Sequence, residues 1–148
     1  MKKLMTAVLL AATCTAAIAN DTPASLAGAT LVDASKAKSL MEGGAKMIDA
    51  RVAAEYAEAH IKGAVSAPYK EKSAKAADFD VKQDDASGFL AKLGSVAKKD
   101  DNVIVQCNGQ ECWKSYKGAK VALSDGYKHV YWFRGGLPEW KAKGFPIE

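Results

Sequence analysis

The sequence lacks the charge excess and the histidines that several classes of binding protein require. Its 148 residues carry a formal net charge of only +4 at pH 7, and just two of them are histidines. A charge this small does not favour nucleic acid or an anionic membrane surface as a partner. His129 falls in a predicted strand, and its spacing from His60 and the cysteines matches no common zinc site, so we predict no bound metal.

The sequence also lacks an apolar run long enough to span a membrane, which requires about 20 residues. Its stretch of apolar or small residues covers 4–18, follows two lysines and overlaps an Ala-Ile-Ala sequence at 17–19. This pattern predicts a signal peptide over residues 1–19 with cleavage near Ala19. We therefore expect a periplasmic or secreted protein with no membrane segment after cleavage; an uncleaved anchor is the alternative.

The mature chain is poor in cysteine. Cys14 leaves with the signal peptide, so that only Cys107 and Cys112 remain. Two cysteines in an oxidising compartment favour a disulfide. The loop between them is so short, however, that a bridge would add little stability, which makes the pair a poor structural staple.

Segments with strand and helix patterns alternate along the chain. We expect residues 20–28 to form a flexible leader and residues 29–148 to form one α/β domain, with a mostly parallel sheet flanked by helices on both faces. The charged segment 70–85 is interpreted as a solvated loop or helix face. The predicted strands cover residues 30–32, 46–51, 63–68, 103–105 and 129–133. The first predicted helix ends at residue 41, and the later ones cover residues 53–59, 86–98, 113–124 and 138–143.

Cys107 occupies the most informative position in the chain. It directly follows the apolar strand 103–105 and its polar neighbour Gln106, and a polar loop separates it from the helix that begins at Trp113. Ligands of parallel sheets bind beyond the carboxyl ends of the strands. A helix N-terminus nearby favours the thiolate, which is the nucleophilic form of cysteine. The sequence therefore predicts that Cys107 is a catalytic nucleophile.

Several segments, taken together, resemble the rhodanese-like family over roughly residues 31–146. They occur in the order in which that family carries its motifs. These segments are Ile48-Asp49-Ala50-Arg51 with Glu55-Tyr56, His60-Ile61-Lys62-Gly63-Ala64, Cys107 at the end of its strand, Gly126-Tyr127 with Val130-Tyr131, and Gly135-Gly136 with Trp140.

The resemblance implies a sulfurtransferase that needs no cofactor. Cys107 would take the outer sulfur of thiosulfate or a polysulfide as a persulfide and pass it to a thiol or cyanide. Loop amides would stabilise the anionic persulfide. Asp49 and His60 are expected to give structural support, and a structural bridge between Arg51 and Asp49 is an alternative to a role for Arg51 in binding. The predicted substrate-binding residues are Asn108, Gly109, Gln110, Glu111, Trp113, Lys114 and Arg51.

The active loop departs from the family pattern because it is longer and contains Cys112. Three roles are open for this residue: a resolving thiol, a partner in a resting disulfide, or a buried bystander. Phosphatases of this fold also have a wide loop, but Lys114 is not the arginine that binds their oxyanion in a bidentate way. The alternative function is a dithiol redox protein, or a sulfur carrier that docks to a periplasmic redox or cytochrome protein, using the Cys107–Cys112 pair.

Overall fold

A computed structural model describes residues 21–148. The predicted signal peptide, residues 1–19, lies outside the described residues and stays a prediction. Within residues 21–148, no helix combines the length and the hydropathy needed to cross a membrane.

Five parallel strands form one sheet in the order β1-β5-β4-β2-β3. Helices α1 and α5 pack on one face of this sheet, and α3 and α4 pack on the other. The predicted α/β architecture with helices on both faces is therefore confirmed. The strands are β1 Thr30–Leu31, β2 Lys46–Asp49, β3 Val65–Ser66, β4 Asn102–Gln106 and β5 His129–Phe133, and the helices are α1 Ala34–Glu42, α2 Ala53–Glu58, α3 Ser87–Val96, α4 Trp113–Ser124 and α5 Gly136–Ala142.

Strand β4 is the central strand of the sheet, and its side chains contribute to the hydrophobic clusters on both faces. Val103 and Val105 point into the cluster beneath α3 and α4, whereas Ile104 points into the cluster beneath α1 and α5. All three are fully buried, as expected for a parallel strand that is covered on both faces. Because β4 pairs with β2 and β5 on its two sides, its carboxyl end lies in the middle of that edge of the sheet.

The segment 70–85 is a loop, as predicted, but it is not solvated throughout. It is a loop with a single 3₁₀ turn, Val81–Gln83, and part of it is buried. Ser73 and Phe79 are less than 10% exposed, and the side chain of Asp84 is fully buried. Ser73 and Asp84 are buried because both lie against the buried ammonium group of Lys117 in α4.

The predicted flexible leader also carries contacts with the domain. Thr22 is 2% exposed and Leu26 is part of the core cluster that contains α3 and α4. The backbone N–H of Thr22 donates a hydrogen bond of 2.8 Å to the carbonyl oxygen of Gln110. Part of the segment before β1 is thus held against the domain, beside the loop that follows β4.

Candidate active site

Cys107 lies directly beyond the carboxyl end of β4, and its backbone is fixed by the start of α5. The residue is only 1% exposed. Its carbonyl oxygen accepts a hydrogen bond of 3.0 Å from the N–H of Leu137. Gly136, with φ +57°, packs so closely that a Cβ there would lie 2.1 Å from the same oxygen. Only glycine fits this contact, which explains part of the Gly135-Gly136 signal in the sequence.

The sulfur atoms of Cys107 and Cys112 are joined in a disulfide, with their Cα atoms 6.2 Å apart. The four residues between them form a tight turn. Gly109 adopts φ +104°, and its carbonyl oxygen accepts a hydrogen bond of 3.1 Å from the N–H of Cys112. This turn folds the loop back on itself and brings the second cysteine to the first.

Cys112 is the N-cap residue of α4, in an extended conformation, and its side chain makes no capping hydrogen bond. The first N–H groups of a helix have no partner within it and carry a partial positive charge. Both sulfur atoms therefore lie beside the N-terminus of α4, whose partial positive charge stabilises a thiolate once the disulfide is reduced. The two cysteines differ in access, since Cys107 is buried whereas Cys112 is partly exposed.

The polar side chains of the loop are tied to neighbouring elements. Asn108 Nδ2 donates a hydrogen bond of 2.6 Å to Glu55 Oε1, near the start of α2. Gln110 Oε1 accepts one of 3.0 Å from Arg134 Nη1. Arg134 also donates to the side-chain and carbonyl oxygens of Thr22, at 3.0 and 2.6 Å. The loop is thus held from three sides.

The contributions of Arg134 and Thr22 were missed by the sequence reasoning. A signal for Arg134 was present, because it follows β5 directly and β5 is the neighbour of β4. Thr22 gave no such signal, since it lies in an irregular segment and reaches the loop across 88 positions of sequence. Arg134 is therefore an additional cation at the same sheet edge as Cys107.

A cleft of about 490 Å³ opens between the loop and the N-terminus of α5. Residues 108–111 line one side of it, and Gly135, Pro138 and Glu139 line the other. Gly109 packs against the start of α5, where a Cβ on it would lie 3.6 Å from the Gly135 carbonyl oxygen. The predicted binding residues Asn108, Gly109, Gln110 and Glu111 are therefore brought together beside Cys107.

Arg51 and Asp49 form a buried ion pair at the end of β2, with Arg51 Nη2 2.6 Å from Asp49 Oδ2. Asp49 is the register partner of Gln106, so the pair lies at the same edge of the sheet as Cys107. Arg51 Nε also donates to Asp49, and Nη2 donates to the carbonyl oxygen of Ala59 at 2.8 Å. This geometry favours the structural bridge over a direct role of Arg51 in binding.

His60 makes contacts that suit structural support. Its Nδ1 lies 2.9 Å from the carbonyl oxygen of Tyr56, and its ring stacks on the Tyr56 ring with centroids 3.7 Å apart. Its Nε2 lies 3.5 Å from Glu148 Oε1. The histidine thus connects α2 with the C-terminal residues.

Trp113 and Lys114 begin α4 but face different surroundings. Trp113 is 5% exposed and packs edge to face on Tyr116, with ring centroids 5.4 Å apart. It belongs to the core cluster rather than to the lining of the cleft, because the first turn of α4 directs it under the helix. Lys114 is partly exposed beside it. Among residues 21–148, no group of three or more histidine, cysteine or acidic side chains is arranged to hold a metal ion.

Comparison with known proteins places this geometry in a family. The family model of the rhodanese-like domain matches residues 33–143. The chain is 31% identical over 114 residues to the mitochondrial protein HIGH ARSENIC CONTENT 1 of Arabidopsis thaliana, covering 77% of this chain but only 63% of that relative. It is 30% identical to the chloroplastic thiosulfate sulfurtransferase 16 of the same plant, covering 79% of this chain and 91% of the relative. A solved rhodanese-like domain from Anabaena sp. is 26% identical, with a TM-score of 0.60 and coverage of 80% and 77%.

Proposed function

The chain belongs to the rhodanese-like domain family, and from that premise we propose that it transfers sulfane sulfur through a persulfide on Cys107. The observation that supports this most directly is the place of Cys107, at the carboxyl end of the central strand and beside the N-terminus of α4. Relatives named thiosulfate sulfurtransferase point to the same class of substrate. The proposed donors are thiosulfate or a polysulfide, and the proposed acceptor is a thiol or cyanide.

The reaction begins from the reduced protein. The Cys107 thiolate attacks the outer sulfur of thiosulfate, a new S–S bond forms, and sulfite leaves with the electron pair of the bond that breaks. The terminal sulfur of the persulfide carries a negative charge. The positive end of the α4 dipole lies beside Cys112, which is bonded to Cys107 in the oxidised state, and it would stabilise that charge. An acceptor then attacks the terminal sulfur, and Cys107 leaves as thiolate.

Substitution of the two cysteines tests this proposal. Reduced Cys112→Ser protein is mixed with thiosulfate and its intact mass is measured; we expect a gain of one sulfur atom. Added cyanide should remove that sulfur as thiocyanate. Reduced Cys107→Ser protein is the matched control, because it keeps the other cysteine in place, and it should gain nothing. Equal loading of the Cys107→Ser variant would contradict the proposal.

We further propose that the protein works outside the cytoplasm, in the periplasm or as a secreted protein. The support is the basic, apolar and small-residue pattern of residues 1–19. Fractionation of the producing cell together with N-terminal sequencing tests this proposal. We expect a mature chain that begins at Asn20 in the exported fraction, whereas an intact Met1 in the cytoplasm would contradict it.

A further inference from the structure

We propose that Cys112 is the resolving thiol of this site, so that the protein reduces sulfane sulfur to sulfide and ends each turnover with the Cys107–Cys112 disulfide. This inference rests on the proposed Cys107 persulfide but assigns a further reaction to the site. The persulfide is consumed by a thiol of the same chain, and the net activity is a sulfane-sulfur reduction that requires an external dithiol as the electron donor.

The structure contains the product of this step. The two sulfur atoms are bonded, and the 6.2 Å between the Cα atoms lies within the range that a disulfide spans. The turn at Gly109, closed by its carbonyl oxygen and the N–H of Cys112, is compatible with the bonded state. The fold therefore accommodates a bond from Cys112 to the inner sulfur of a Cys107 persulfide.

Cys112 also lies where a nucleophilic thiol is favoured. It is the N-cap of α4, a helix of 12 residues, and its side chain makes no capping hydrogen bond. The partial positive charge at the N-terminus of α4 stabilises a thiolate at Cys112. A thiol placed this way attacks a neighbouring disulfide or persulfide more readily than a buried, unactivated one.

The atoms and electrons of the step balance. The Cys107 persulfide anion and the Cys112 thiol react so that a bond forms between the two cysteine sulfurs and the bond to the terminal sulfur breaks. The terminal sulfur leaves as hydrosulfide, with the electron pair of the broken bond and the proton of the Cys112 thiol. The cysteine pair loses two electrons and the sulfane sulfur gains them. A dithiol reductant then returns the pair to two thiols and becomes a disulfide itself.

The difference in access between the two cysteines indicates where that reductant attacks. Cys107 is 1% exposed, and its backbone is fixed beneath Gly136 and Leu137, whereas Cys112 is partly exposed. The thiolate of a dithiol therefore reaches Cys112 first, and Cys107 is the leaving thiolate. In the oxidised state the Cys107 sulfur is bonded to Cys112 and is not a thiolate. The same disulfide therefore prevents a reaction with a sulfur donor until the reductant has acted.

A single-turnover measurement tests the inference. Wild-type protein is reduced with dithiothreitol, freed of it under anaerobic conditions and mixed with thiosulfate. Sulfide and sulfite are quantified and the intact mass is measured. We expect about one equivalent of each product per protein and a mass lower by two hydrogens. The Cys112→Ser variant should release sulfite alone and keep one additional sulfur atom until dithiothreitol is added.

The outcomes separate this inference from the proposed function. Wild-type protein that keeps the additional sulfur and releases no sulfide would overturn the inference, while the persulfide on Cys107 would stand. A Cys112→Ser variant that gains no sulfur but has an unchanged unfolding curve would overturn both.

Discussion

Helix α4 holds two irregular segments of the chain, and it does so by two different kinds of chemistry. The active loop, residues 107–112, is fixed at the N-terminus of the helix by a covalent bond between sulfurs. The segment 70–85 is fixed farther along the helix by the buried ammonium group of Lys117. The disulfide of the first attachment breaks when it is reduced. The ion pairs of the second attachment change only when their carboxylates or the lysine gain or lose a proton.

The second attachment is a dense polar cluster. Lys117 Nζ lies 3.0 Å from Glu71 Oε2 and 2.8 Å from Ser73 Oγ, and 3.8 Å from Asp84 Oδ2. Asp84 in turn accepts hydrogen bonds from Tyr69, Ser73 and the N–H of residue 72. A buried charge is tolerated only when it is paired and hydrogen-bonded in this way. We infer that changes at this cluster affect stability, while changes at the loop affect chemistry.

Breaking the polar cluster should have the largest effect on stability. Lys117→Met leaves the carboxylates of Glu71 and Asp84 buried without their cation, so we expect the free energy of unfolding to fall by about 3–5 kcal/mol. Urea unfolding measures this. Reduced Lys117→Met protein that is still folded should load sulfur from thiosulfate as wild type does.

Lys120→Met is the matched control for that substitution. Lys120 lies one turn farther along α4 and, like Lys117, has its ammonium group 5.0 Å from the centre of the Phe79 ring, but it is partly exposed. We expect a loss below about 1 kcal/mol, typical of an exposed contact. Similar losses for the two variants would show that the cluster is not a special attachment.

Disrupting the contact between the active loop and α5 should have the next largest effect. Gly136→Ala places a methyl group against the Cys107 carbonyl oxygen, and it also costs about 1–2 kcal/mol because of the left-handed backbone. Since the new methyl group displaces Cys107, the proposed nucleophile, we expect slower sulfur loading as well as lower stability. Gly144→Ala is the control: φ is +68° there, but no atom lies within 4 Å of the added carbon. It should lower stability only, so slower loading in both variants would contradict the assignment.

The difference between the two attachments also explains what could be predicted from the sequence. Cys107, the alternation of strands and helices and the pair Asp49–Arg51 follow from local patterns, because the residues concerned are close in sequence. The contact of Lys117 with Ser73 spans 44 positions, and that of Arg134 with Thr22 spans 112. No local pattern marks such partners. A lysine inside a helix is usually exposed, so nothing in the sequence marks Lys117 as the buried partner of the charged segment 70–85.

Acid should weaken the polar cluster by protonating its carboxylates, whereas the disulfide has no group that titrates. Burial tends to raise the pKa of Asp84, but hydrogen bonds from Ser73, residue 72 and Tyr69 outweigh it and hold that pKa below the ordinary value of 3.8. A carboxyl whose pKa is lowered by folding stabilises the protein above its unfolded pKa, and this stabilisation is lost as the pH falls through the folded value. We therefore expect the melting temperature to fall below pH 4.

The Asp84→Asn variant isolates this contribution. It lacks the titrating carboxylate, so it should be less stable than wild type at pH 7 and the difference should narrow at pH 3. Melting curves at the two pH values measure the effect. A difference that stays constant would assign the acid sensitivity to other carboxyl groups.

The smallest expected effect concerns Lys114, which lies on the same helix as Lys117 but in its first turn. A cation there opposes the partial positive charge of the helix N-terminus, and α4 has no acidic residue in this turn to offset it. Lys114 therefore contributes little to folding, whereas an anionic donor at the loop would be attracted by both the lysine and the helix. We expect Lys114→Gln to raise the KM for thiosulfate about two- to fivefold, with kcat and stability unchanged and with the difference reduced by added salt. Lys120→Gln, near the end of α4, should leave KM as it is; an equal rise in both variants would mean that only the net charge of the protein matters.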